Sequence, residues 1–207
     1  MKQRPILFNA DMVRALLDGR KTQTRRLVKP APGMVTNKSI EPWEGDPKAL
    51  MALLERNNRG CPYGKPGDRL WVREAHALLP RTAYRASVGT GTIEQVEHPT
   101  DGYTAAVFRE GFDRSGAPKW RPSIHMPRWA SRITLEVVSV RVERLNDISA
   151  KDALEEGIAL CQQPQEAFRQ LWESIHSPEG WSANPWVWVV EFKRLEDTDE
   201  RYQRIAS

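Results

Sequence analysis

The strongest periodicity lies in residues 131–145, SRITLEVVSVRVERL. Ile133, Leu135 and Val137 alternate with other residues in one phase, and Val138, Val140 and Val142 continue in the opposite phase. Period-two alternation marks a half-buried strand, and a one-residue change of phase flips its inward face. A long strand with a β-bulge near 137–138 is therefore predicted. Residues 69–75 alternate in the same way, with Leu70, Val72 and Glu74 on one face and Trp71, Arg73 and Ala75 on the other. A strand over 184–193 places Trp186, Trp188, Val190 and Phe192 on its core face, and another is predicted at 103–108.

Helical spacing appears between these segments. Met12 with Leu16 and Val13 with Leu17 pair at i, i+4 in a helix over 10–18, with Asn9 as cap and Gly19 ending it in the left-handed region. A second short helix is predicted at 48–56. A third, at 150–156, starts from Ser149 with Asp152 at the capping-box position and closes at Gly157. A fourth, over 164–176, carries Phe168, Leu171, Trp172 and Ile175 on one face.

The rest reads as connections. Residues 34–60, helix included, form a surface insertion, and 77–118 a second, loosely structured one apart from its strand. Residues 119–129 hold Pro122 and Pro127 and no period, so they read as a loop. About five strands and a few short helices give an α+β fold with a small β-barrel. It is one domain over 1–195, followed by a flexible tail at 196–207.

Composition narrows the class without changing this picture. With 207 residues, 28% charged and 40% apolar, the chain is too apolar for disorder and too charged for a membrane protein. No apolar run approaches the ~18 residues that span a bilayer, and the first residues lack a signal-peptide pattern. Cys61 and Cys161 stand far apart without a CxxC partner, which argues for reduced thiols in a cytoplasmic protein and against a disulfide or structural zinc. Eight bases against two acids leave +6 in residues 1–30, against −2 over the remaining 177. Such a cluster fits a phosphate- or nucleotide-facing patch as well as a solvated basic face.

The chemistry starts from Glu74. If Leu70 and Val72 face the core, Glu74 does too, and a buried carboxylate needs a cation or donor. Lys21, just past the first helix, can supply it. Thr24 follows three residues later, so one turn puts hydroxyl and amine on the same side. Amine, hydroxyl and carboxylate together form the logic of an activated nucleophile. Spacing alone favours the plainer reading, a buried Lys21–Glu74 ion pair with Thr24 as a turn residue.

The segment Gly19-Arg20-Lys21-Thr22-Gln23-Thr24-Arg25-Arg26 resembles the GxKxxExR signature of ASCH domains, small β-barrels similar to the PUA fold. Gly19, Lys21 and Arg26 match, and Thr24 stands at the Glu position. The segments 67–74, 132 onward and 184–192 fit the same family, and the length resembles larger phage- or prophage-type members. A branch of small bacterial ASCH proteins carries the same Thr and removes the acyl group from N4-acetylcytidine and related N4-acylcytosines. The resemblance implies a Lys21, Thr24, Glu74 triad. Thr24 would be the nucleophile, Lys21 its base, and Glu74 the group that holds Lys21. Arg26 or a backbone N–H in 20–26 would donate to the oxyanion. It implies a metal-independent amidohydrolase that needs no cofactor.

Trp120, His125 and Trp129 can stack on a pyrimidine or line a cleft, or simply anchor their loop to the barrel. His76 shares the face of Glu74 and can assist proton transfer. The expected partner is a small-molecule nucleoside, with no membrane. The rival reading is a non-catalytic PUA-like module that binds RNA or a modified nucleotide.

Overall fold

The computed structural model describes residues 1–35, 40–84 and 93–195. The chain begins with β1 (Gln3–Leu7), α1 (Ala10–Leu17), β2 (Gln23–Leu27), β3 (Gly33–Val35), β4 (Ile40–Pro42) and α2 (Pro47–Arg56). Four strands follow: β5 (Arg69–Arg73), β6 (His76–Pro80), β7 (Gln95–Glu97) and β8 (Thr104–Phe108). The remainder is β9 (Thr134–Arg144), α3 (Ala150–Glu155), α4 (Pro164–His176), α5 (Pro178–Ser182) and β10 (Trp186–Leu195).

The main sheet has the order β1-β5-β9-β10-β2. Its β1–β5 pair is parallel and the other pairs are antiparallel. The β9–β10 register passes from Glu191↔Ser139 to Phe192↔Val137, leaving Val138 as the extra residue. This is the bulge that the phase change in the valine run predicts, and Val138 is accordingly exposed. Strand hydrogen bonds do not close the sheet into a barrel among the described residues. β1 and β2 are its edges. A side chain links them where Arg26 Nη2 donates to the Leu7 carbonyl at 2.7 Å.

β10 is buried on both faces, which explains its nearly continuous apolar run. Trp188, Val190 and Phe192 pack with Leu70, Val72, Leu135, Ile6, Phe8 and Leu16. Val187 and Val189 pack with Phe168 and Trp172 of α4 and Ala153 of α3. The helices begin where the sequence signals them. Asn9 accepts from the Met12 N–H, and Ser149 and Asp152 form a reciprocal capping box.

Two segments depart from the sequence reading. β1 was not anticipated, because only Ile6 among its five residues is buried and no alternation shows. The region 77–118 is less loose than expected. β6, β8 and β7 form a three-stranded sheet there, over a small core of Ala106, Phe108, Met126 and Ala130. The loop at 119–129 contains short 3₁₀ turns at Ser123–His125 and Arg128–Ala130. The expected tail at 196–207 lies outside the described residues. Among those described, no helix is long and apolar enough to cross a membrane.

Candidate active site

Lys21 leaves α1 through Gly19, which has φ +73°. Its N–H donates to the Ala15 carbonyl at 3.0 Å. The side chain runs inward. Nζ donates to the Glu156 carbonyl at 2.7 Å and to Glu156 Oε2 at 2.9 Å. It also lies 5.4 Å from the centre of the Phe8 ring. Burial drives the Lys21 pKa below its ordinary value, the Glu156 carboxylate opposes this, and Arg26 and Arg25 add to the lowering.

Glu156 is delivered by the end of α3. The next residue, Gly157, has φ +96°. A Cβ there would lie 2.8 Å from Ala15 Cβ and 3.2 Å from Lys21 Cβ. Glycine thus satisfies both the backbone turn and the close approach of α3 to the Lys21 loop.

β2 sorts its side chains by alternation. Gln23 and Arg25 reach the acids beside α3. Gln23 Nε2 donates to the Asp152 carbonyl at 2.8 Å, and Arg25 Nη1 donates to Glu156 Oε1 at 3.2 Å. Arg25 also pairs closely with Glu143. One Glu156 carboxylate therefore joins two buried cations. Thr24 and Arg26 lie on the other face, opposite Val190 and Trp188.

The hydrogen-bond phase of β2 adds a further group. Phe192 N–H donates to the Thr22 carbonyl, and Val28 N–H to the Trp186 carbonyl. Thr24 and Arg26, between them, therefore turn their backbone groups toward β10, while the Thr22 N–H donates to the Glu155 carbonyl at 2.8 Å. Arg25 and Leu27 turn theirs to the open edge of the sheet. At that edge Thr24, Arg25, Arg26 and Glu156 line a cleft with Met12 of α1 and Leu171, Ile175 and His176 of α4. Its volume, about 30 Å³, suits a water molecule or two. The His176 pKa is lowered by burial, then by Arg26 and Lys29.

The expected Lys21–Glu74 pair is not formed. Glu74 is buried as its strand phase predicts, but both its oxygens are held by Arg132, with Nε at 2.9 Å and Nη2 at 2.8 Å. A planar guanidinium matches a carboxylate in a way that one ammonium cannot. Arg132 also pairs closely with Glu94, donates to the Glu110 carbonyl and lies over the Phe108 ring. Burial raises the Glu74 pKa against the opposing pull of Arg132.

Of the other expected residues, Arg26 alone shares the cleft with Thr24. Trp120 packs edge-on against Phe112, and Trp129 against His98, so both anchor loops to the second sheet region. His125 is exposed. His76 is fully buried, its Nδ1 facing the Glu74 carbonyl at 3.2 Å and its Nε2 without a hydrogen-bond partner among the described residues. Sequence reasoning missed Glu156, Phe8 and His176. The capped helix ending in Gly157 was the available pointer to Glu156. Among the described residues, no group of three or more His, Cys, Asp or Glu side chains is placed to hold a metal ion.

Comparison with protein-family models, with curated proteins and with solved structures finds no match.

Proposed function

We propose that the protein is an amidohydrolase of the N4-acylcytosine class, with Thr24 as nucleophile. The observation that carries this reading is a buried ammonium locked to Glu156, three residues before a threonine that lines a cleft at an open sheet edge. Desolvation moves Lys21 toward the range in which an amine can take a proton near neutral pH. The ASCH-like segment around Lys21 supports the substrate class, and the edge-bridged sheet is compatible with a PUA-like arrangement.

Thr24 Oγ attacks the amide carbonyl and gives its proton to Lys21 in its deprotonated form, the form that desolvation favours. The oxyanion so formed meets the outward N–H of Arg25 or the guanidinium of Arg26. Collapse breaks the C–N bond, and Lys21 returns the proton to the departing N4 amine. Water then hydrolyses the acyl-threonine ester, releasing the carboxylic acid. Glu156 positions Lys21 throughout, the role the resemblance gives to Glu74. A pyrimidine is far larger than the 30 Å³ cleft, so its entry requires side chains of α4 at Leu171, Ile175 and His176 to move aside.

The test is incubation with N4-acetylcytidine while following the ultraviolet shift as cytidine forms. Turnover by the wild type and its loss in Thr24→Ala support the reading. No turnover over a range of acyl groups, or full turnover in Thr24→Ala, contradicts it. Tight binding of the nucleoside without turnover would favour a non-catalytic binding module.

A further inference from the structure

A second cavity lies apart from the Thr24 cleft, at the far end of β2, with a volume of about 530 Å³, and is lined by Leu27, Lys29, Arg59, Tyr63 and Trp188 among others. That volume falls in the ~300–1,000 Å³ range of small-molecule sites. Its wall is supplied by the chain just after α2, the segment that the sequence marks as closing an insertion.

Charge identifies half of the occupant. None of the lining residues is acidic. Lys21, Arg25 and Arg132 elsewhere in this protein are each neutralised by a carboxylate. Lys29 and Arg59 have no carboxylate partner among the described residues. Arg59 is nevertheless held in place, since Nη2 donates to the Pro30 carbonyl at 2.8 Å. Two cations lining one cavity, one of them held in place, suit a phosphate group.

The remaining surface identifies the other half. Tyr63, half-buried, offers an aromatic face on which a planar base can stack, while the core residue Trp188 closes the cavity behind it. Leu27 lines the same cavity and turns its backbone N–H and C=O to the open edge, one donor and one acceptor for a base edge. We propose that this cavity binds a nucleoside monophosphate, its phosphate between Lys29 and Arg59 and its base against Tyr63. The site is separate from Thr24 and does not depend on amide hydrolysis there.

The test is titration of the full chain with cytidine 5′-monophosphate, cytidine, ribose 5-phosphate and inorganic phosphate, followed by calorimetry and tryptophan fluorescence. The monophosphate is expected to saturate the protein, with cytidine and ribose 5-phosphate each weaker by about tenfold or more. Arg59→Gln and Lys29→Gln should each weaken the monophosphate about tenfold while leaving cytidine unchanged. Thr24→Ala should bind it as the wild type does. Lys29 is exposed, so its variant remains decisive if Arg59→Gln fails to fold. Four results would overturn the proposal. They are no saturable binding of the monophosphate, equal binding of inorganic phosphate, saturation by RNA alone, or binding unchanged by both charge variants.

Discussion

Lys21 Nζ and Glu156 Oε2 lie 2.9 Å apart inside the protein, though 135 positions separate them in the chain. The same carboxylate receives Arg25 through its other oxygen at 3.2 Å. The first helix loop, the edge strand β2 and the end of α3 are therefore tied at one buried point.

Removing that carboxylate should be costly. Glu156→Ala leaves the Lys21 ammonium in the interior without its charged partner, and breaking a buried pair in this way costs about 3–5 kcal/mol. Lys21→Met removes the ammonium itself and should cost less, because Arg25 still satisfies Glu156. Urea unfolding of both variants checks the order. A loss under about 1 kcal/mol for Glu156→Ala would mean that the pair is not closed in solution.

Gly157→Ala should destabilise by about 1–3 kcal/mol, because an L residue is strained at φ +96°. The added Cβ also meets Ala15 Cβ at 2.8 Å, so α3 must retreat from Lys21. Turnover should fall with stability. Thermal melts and the N4-acetylcytidine assay measure the two effects separately. An alanine variant as stable as the wild type would show that α3 does not pack as described.

His76 sets an acid limit. Burial holds its pKa below the ordinary 6.5, with Arg121, His125 and Arg73 adding repulsion. The unfolded chain therefore binds more protons between the folded value and 6.5, so stability rises with pH across that window. It is lost as pH falls through the same window. His76→Gln should flatten this part of the stability profile, read by urea unfolding from weakly acid to neutral pH. An unchanged slope would show that His76 titrates normally.

The two buried glutamates should separate by function. Glu74→Gln loses a charged partner for Arg132 and should cost about 3 kcal/mol, while the molecules that fold keep most of their turnover. Glu156→Gln should lose turnover, because Lys21 is no longer held. Single-turnover rates per folded molecule compare them. The reverse order would return the orienting role to Glu74.

The parts of this site that were legible in sequence are local ones. The phase change at 137–138, the caps at Asn9 and Ser149 and the left-handed Gly19 and Gly157 all depend on neighbours within a few residues, and each is found. The burial of Glu74 followed from strand alternation in the same way. Its partner did not, because nothing local says whether Lys21 or Arg132 will reach a buried carboxylate. That choice was settled by β9 pairing with β5, a long-range contact. β1 escaped because a strand with one inward residue has no period to read. Glu156 escaped because it follows a helix whose docking against α1 depends on Gly157 having no Cβ.

The most direct measurement of the central claim is the mass of the protein trapped during reaction with N4-acetylcytidine. One added acetyl group on the peptide that contains Thr24, absent from Thr24→Ala, is the expected result. Cytidine release by a Thr24→Ala protein at the wild-type rate, with no acylated peptide, would contradict it.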